Sequence, residues 1–141
     1  MVADAEHQSL GYISTSNRYC QVIYLQNFAK EHSLECRTDE AGNVLIIREA
    51  TPGKENVPTV VLQSHSDMVC EKNAGVEHDF TKDPIIAVEE NGWLIAKDTT
   101  LGADCGIGIA AQLVALTDPD LKCGRIEALF TEINPSNIIK E

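Results

Sequence analysis

The most constraining stretch of this chain is Thr59-Val60-Val61-Leu62-Gln63-Ser64, a run rich in β-branched and apolar residues that ends in His65-Ser66-Asp67. A continuous run of this kind is the pattern of a strand covered on both faces. It predicts an α/β protein: part of a mixed sheet with helices packed on it.

The flanking segments supply further elements. Val22, Leu25 and Ala29, with Ile23 and Phe28 beside them, suit one face of a helix over about residues 17–33. Ser14-Thr15-Ser16-Asn17 offers N-cap candidates for it. Leu34–Thr38 and Val44–Arg48 read as a hairpin joined through Asp39–Asn43, where Gly42-Asn43 tolerates positive φ. Thr51–Asn56 is a surface loop. Residues 70–92 are polar and irregular, with Pro84 and Asn91-Gly92 as breakers, and Trp93–Ala96 is a short strand. Ala103–Leu116 reads as a helix, apolar nearly all round and therefore expected to be buried. Ile126–Thr131 is the last strand. The expectation is a single domain over residues 1–141, without repeats or linkers.

Composition excludes several function classes. A formal net charge of −11 repels phosphate backbones and argues against a nucleic-acid partner. No apolar stretch approaches the roughly 20 residues needed to cross a bilayer. Met1–Leu10 lacks the basic start and apolar run of a signal peptide, so the expected location is cytoplasmic. The five cysteines, Cys20, Cys36, Cys70, Cys105 and Cys123, form no CxxC pair. They are expected to be free, mostly buried thiols in a reducing compartment.

Two places can carry chemistry. His65 and Asp67 follow the strand at spacing i, i+2, which puts their side chains on one side. The C-terminal end of a strand in an α/β sheet is where ligand sites form. There an imidazole can ligate zinc and a nearby carboxylate can orient it. Taken alone, His-x-Asp is a weak motif that arises often by chance, and a capped turn with a solvated Asp67 is the plainer reading. Asp104 stands where the apolar helix begins, between Gly102 and Gly106, and can hold or bridge cations. It also reads as an ordinary helix-start aspartate. Gly106-Ile107-Gly108-Ile109-Ala110-Ala111 fits G-x-G-x-x-A, but no strand runs directly into it and no acidic residue follows at the required distance; close helix packing is the better reading. His78-Asp79, Asp83, His7 and His32 read as surface positions, and nothing basic marks Cys70 or Cys105 as a nucleophile.

Together these segments resemble the aminoacyl-histidine dipeptidases, the cytosolic non-specific dipeptidases related to carnosinases and co-catalytic zinc aminopeptidases. Val61–Asn73 resembles their first metal motif, His78–Ile85 follows as in that family, and Thr99-Thr100-Leu101-Gly102-Ala103-Asp104 matches the second metal motif. Ala41–Val44 and Ala50–Gly53 match upstream, and the resemblance covers roughly residues 17–131. It implies two zinc ions, with His65 as a ligand of one, Asp104 as the bridge, and Asp67 as the catalytic carboxylate that orients a ligand histidine. It also implies a dipeptide substrate of Xaa-His type, hydrolysed by a zinc-activated water with a glutamate as general base.

The chain departs from that pattern at defined places. Where the family carries two adjacent glutamates, the general base and a metal ligand, this chain has Asn134-Pro135. Glu132 stands two positions early, a slip of about 6–7 Å along a strand. Cys105 replaces a usual asparagine, residues 1–16 form an atypical start and 132–141 an atypical tail. The expectation is the N-terminal part of a catalytic domain, truncated and inactive alone, that self-associates through exposed sheet edges. The alternative is a catalytically dead fragment acting as a weak metal-binding or interaction module.

Overall fold

The computed structural model describes residues 18–132. The N-cap candidates Ser14–Asn17, the atypical start, and the tail from residue 133, Asn134 and Pro135 included, lie outside the described residues.

Helix α1 spans Arg18–Glu31. Leu25 and Ala29, four residues apart and thus on one helical face, are buried against the sheet. The helix closes where Ser33 turns left-handed at φ 56° and Leu34 N donates to the Ala29 carbonyl. Strands β1 (Glu35–Thr38) and β2 (Val44–Arg48) form the expected antiparallel hairpin. Its turn is built on Asp39: Oδ1 accepts from Ala41 N and Asn43 N at 2.9 Å each, and Oδ2 from Asn43 Nδ2 at 2.7 Å. Gly42, at φ 94°, supplies the left-handed residue that the turn needs.

Strand β3 (Val60–His65), the β4–β5 hairpin (Ala87–Glu90 and Trp93–Ala96), helix α2 (Gly106–Thr117) and strand β6 (Ile126–Thr131) follow. The main sheet runs β1-β2-β6-β3. β6 is antiparallel to β2 and parallel to β3, so the sheet is mixed as expected. The β2–β6 register sets Val44 beside Phe130 and Ile46 beside Ala128. These residues and Ile126 meet Leu25 and Ala29 of α1 and Ile109 and Leu116 of α2 in one core.

Four expectations are corrected, the last of them on the cysteines. Among the described residues β3 is not covered on both faces: Val60 is 51% and Val61 60% exposed. It is an outer strand of the main sheet, and both described helices pack on the same sheet face. A β-branched run records strand propensity, not how many layers cover the strand. Helix α2 begins at Gly106 rather than Ala103, and it is buried on one side only. Ile109, Gln112 and Leu116 face inward, while Ile107 is 79% and Val114 61% exposed. An all-round apolar helix carries no stripe to say which face turns in. In addition, residues 70–92 are not wholly irregular. Asn91 and Gly92, at φ 54° and 80°, form the two-residue turn of the β4–β5 hairpin. Two successive positive φ values are what a two-residue hairpin favours.

Among the described cysteines, Cys36, Cys70, Cys105 and Cys123 are free thiols. Cys70 is exposed and the other three half-buried, so the thiols are less buried than expected.

Candidate metal centre

The site lies where the parallel strands β3 and β6 end together, with His65 in register with Thr131. Ser66 N donates to the Thr131 carbonyl at 2.8 Å and pins the chain as it leaves the strand. Beneath this point, a Cβ at Gly108 would stand 3.5 Å from Ser64 Cβ and one at Gly106 3.9 Å from Ala103 Cβ, ordinary van der Waals distances, so the expected need for glycine in close packing is not seen at these two positions. The buried Gln112 carboxamide, with its oxygen turned toward the strand, accepts from Gln63 N at 3.1 Å and Ser64 N at 3.0 Å. Cys105 Sγ accepts from His65 N at 3.2 Å. The end of β3 is thus fixed by side chains of α2 and its N-cap.

The His65 ring is held from both sides. Nδ1 lies 3.0 Å from the main-chain carbonyl of Asp67. A carbonyl only accepts, so Nδ1 carries the proton. The Asp67 carboxylate stands slightly farther away, with Oδ1 3.5 Å from the same nitrogen. The nearer orienting contact of Asp67 is therefore its backbone carbonyl, which sequence reasoning did not foresee. On the far side, Nε2 lies 3.3 Å from Asp104 Oδ2. With Nδ1 protonated, a neutral imidazole presents a lone pair at Nε2, and that lone pair faces an anionic oxygen. Two acceptors at this separation need a proton or a cation between them.

The spacing fits a shared metal ion. Zinc bonds to imidazole and carboxylate at about 2.0–2.2 Å, which puts two ligands of one tetrahedral ion roughly 3.4 Å apart. The site is open on the carboxylate side, with the Asp104 side chain 71% and the His65 side chain 26% exposed. Among the described residues, however, no group of three or more His, Cys, Asp or Glu side chains is placed to hold a metal. The arrangement amounts to a pair of donors, short of the three protein ligands plus water of a catalytic zinc site.

The other candidates are engaged elsewhere. Asp79 accepts from Thr81 Oγ1 at 2.6 Å, Thr81 N at 3.0 Å and Lys82 Nζ at 3.0 Å, contacts that hold its carboxyl well below the usual carboxylate range. Asp83 Oδ2 accepts from Asp79 N, so these two aspartates build a surface turn. His78 is less superficial than expected, because its Nε2 is buried and unpaired. Glu132 N donates to Asn43 Oδ1 at 3.0 Å, tying the end of β6 to the β1–β2 turn.

An α/β domain with ligand-type side chains at the carboxyl end of parallel strands has the ligand-site architecture general to this fold class, which hosts many functions, and comparison with known proteins narrows it. The chain is 47% identical over 108 residues to the cytosol non-specific dipeptidase of Escherichia coli K12, covering 77% of this chain and 22% of that protein. The aminoacylhistidine dipeptidase of Vibrio alginolyticus superposes with a TM-score of 0.78 at 42% identity, covering 90% of this chain and 27% of that structure. A Staphylococcus aureus tripeptidase shares the fold, with a TM-score of 0.69 at 21% identity over 93% of this chain and 36% of that one. No family model matches the chain. The chain is similar to one part of the aminoacylhistidine dipeptidases, and it spans about a quarter of the length of these relatives.

Proposed function

We propose that His65 and Asp104 are ligands of a peptidase metal centre and that Asp67 fixes the histidine for that task. The observation that carries this reading is the placement of the ring: Nδ1 lies 3.0 Å from the Asp67 carbonyl, and Nε2 lies 3.3 Å from the Asp104 carboxylate. Commitment of one imidazole nitrogen to an acceptor is how proteins aim the other at a metal. The second carboxylate oxygen of Asp104 leaves room for the bridging role that the family resemblance implies. Zinc, when bound, would polarise a peptide carbonyl and lower the pKa of a water. The chain's own contribution is to hold two donors at ligand spacing with the carboxylate side open to solvent.

On this reading the substrate class is the dipeptide, of Xaa-His type, and the location is the cytosol that the Escherichia coli relative's name records. The 141 residues alone hydrolyse dipeptides poorly. Asn134-Pro135 replaces the paired glutamates expected after β6, and general-base help is worth about a hundred- to ten-thousandfold. The test is turnover of several Xaa-His dipeptides by the purified chain with excess zinc, manganese or cobalt, beside His65→Ala. The expected result is no metal-dependent turnover above the control. Turnover that vanishes in His65→Ala would overturn the inactive-alone reading and assign the missing base to Glu132 or to a second chain.

A further inference from the structure

The two donors come from separate segments: His65 ends β3, with Asp67 just beyond it, whereas Asp104 follows the β4–β5 hairpin. Cys105, the N-cap of helix α2 beside Asp104, makes no side-chain capping bond, and its thiol instead accepts from His65 N at 3.2 Å, a first tie between the two segments. A different set of contacts joins the loops. Thr100 N donates to the Glu71 carbonyl at 2.9 Å, and Thr100 Oγ1 donates to the Val69 carbonyl at 2.6 Å. Glu71 N donates back to the same hydroxyl at 3.3 Å. Next to this, Lys72 and Thr99 form an antiparallel bridge. Asn73 N and Nδ2 bond the carbonyl and carboxylate of Asp98, which adopts a left-handed φ of 66°. On the side nearer the metal pair, Gly102 at φ 69° lies against Met68, where an added Cβ would stand 2.7 Å from Sδ and 2.8 Å from Met68 Cβ.

We infer that this clasp positions Asp104 against His65, with Thr100 and Gly102 as positioning residues that act through the loops without touching the donors. Thr100 lies four residues before Asp104, and its carbonyl partner Val69 two residues after Asp67. The hydroxyl therefore fixes the distance between the halves of the site across a short length of chain on each side. Gly102 permits the closest approach, since any side chain there must displace Met68. The inference rests on the metal-centre reading above.

The experiment is a Co²⁺ titration of the full 141-residue chain, followed by the paramagnetic shift of the His65 ring protons. It is combined with amide hydrogen exchange and with the NOE between the His65 ring and the Asp104 β protons. Thr100→Val should weaken Co²⁺ binding about tenfold, the low end for groups that orient ligands. It should also lose the NOE and expose the Thr100 and Glu71 amides, while β2 and β6 stay protected. Thr100→Ser should behave as wild type, because the hydroxyl is retained. Gly102→Ala should weaken binding as well, and adding Met68→Gly, which removes the Cβ that stands 2.8 Å away along with Sδ, should restore part of it, a rescue that general destabilisation does not produce. Wild-type binding and NOE in Thr100→Val, or equal losses in Thr100→Ser, would overturn the clasp. If His65→Ala binds Co²⁺ like wild type, the metal reading fails, and the NOE and exchange data still decide whether Thr100 sets the geometry.

Discussion

At the residue scale, the ring of His65 links the sequence to the proposed chemistry. One ring nitrogen faces a main-chain carbonyl and the other a carboxylate, an asymmetry that gives the two nitrogens different tasks. Asp67 contributes twice, through its carbonyl at 3.0 Å and its carboxylate at 3.5 Å. Removing the side chain therefore leaves the shorter contact in place. Asp67→Ala should weaken zinc binding by about tenfold or less, whereas His65→Ala should abolish the response. Calorimetry with the two variants in parallel checks this. An Asp67→Ala loss as large as that of His65→Ala would make the carboxylate, not the carbonyl, the orienting group.

At the element scale, the β1–β2 hairpin depends on an ionised Asp39. Three donors from the turn hold its carboxyl below the usual carboxylate range, the side chain of Asn43 first among them. A carboxyl depressed in the folded state adds stability that is fully present above its unfolded pKa and is lost as pH falls through the lower folded value. Acid titration from the ordinary carboxylate range downward should therefore loosen the turn. The Ala41 and Asn43 amides should lose protection in that window, and in Asp39→Ala they should be unprotected at all pH values. Persistent protection in the variant would show that Gly42 and the strand pairing suffice. This turn was legible in the sequence, because Asp39, Gly42 and Asn43 are residues whose local chemistry makes a turn. So were β6 and α1, whose alternation and four-residue spacing survive folding. The exposure of β3 and the one-sided burial of α2 were not legible, because they depend on which neighbours cover an element. The Thr100 clasp was hidden for a related reason. It joins residues about 30 positions apart in polar loops that carry no period, and only Gly102 hinted at a close approach.

At the scale of the whole molecule, exposed apolar groups and net charge oppose each other. Val61 on β3, Ile107 and Val114 on α2, and Trp93 and Leu94 on the small hairpin are all more than half exposed. An outer strand with apolar side chains invites pairing with another chain. Cys105 and Gln112 occupy main-chain amides only near the C-terminal end of β3, beyond Val61. The net charge of −11 works against association by mutual repulsion, which salt screens. The chain should therefore self-associate more at high ionic strength, and Val61→Lys should reduce association without changing the fold. Sedimentation velocity at two salt concentrations measures both effects. A monomer at high salt, or unchanged association in Val61→Lys, would show that the β3 surface is not what brings copies together.

The central claim, that Asp67 accepts from His65 Nδ1–H and holds that side of the ring so that the other side meets a cation with Asp104, is tested most directly by ¹⁵N NMR of the histidine rings during a zinc titration, with His65→Ala used to assign the His65 signals. The account predicts that the neutral ring carries its proton on Nδ1, and that zinc shifts the Nε2 resonance while Nδ1 stays protonated, a response that Asp104→Asn weakens. A ring protonated on Nε2, or an Nε2 signal that saturating zinc leaves unmoved, would contradict it.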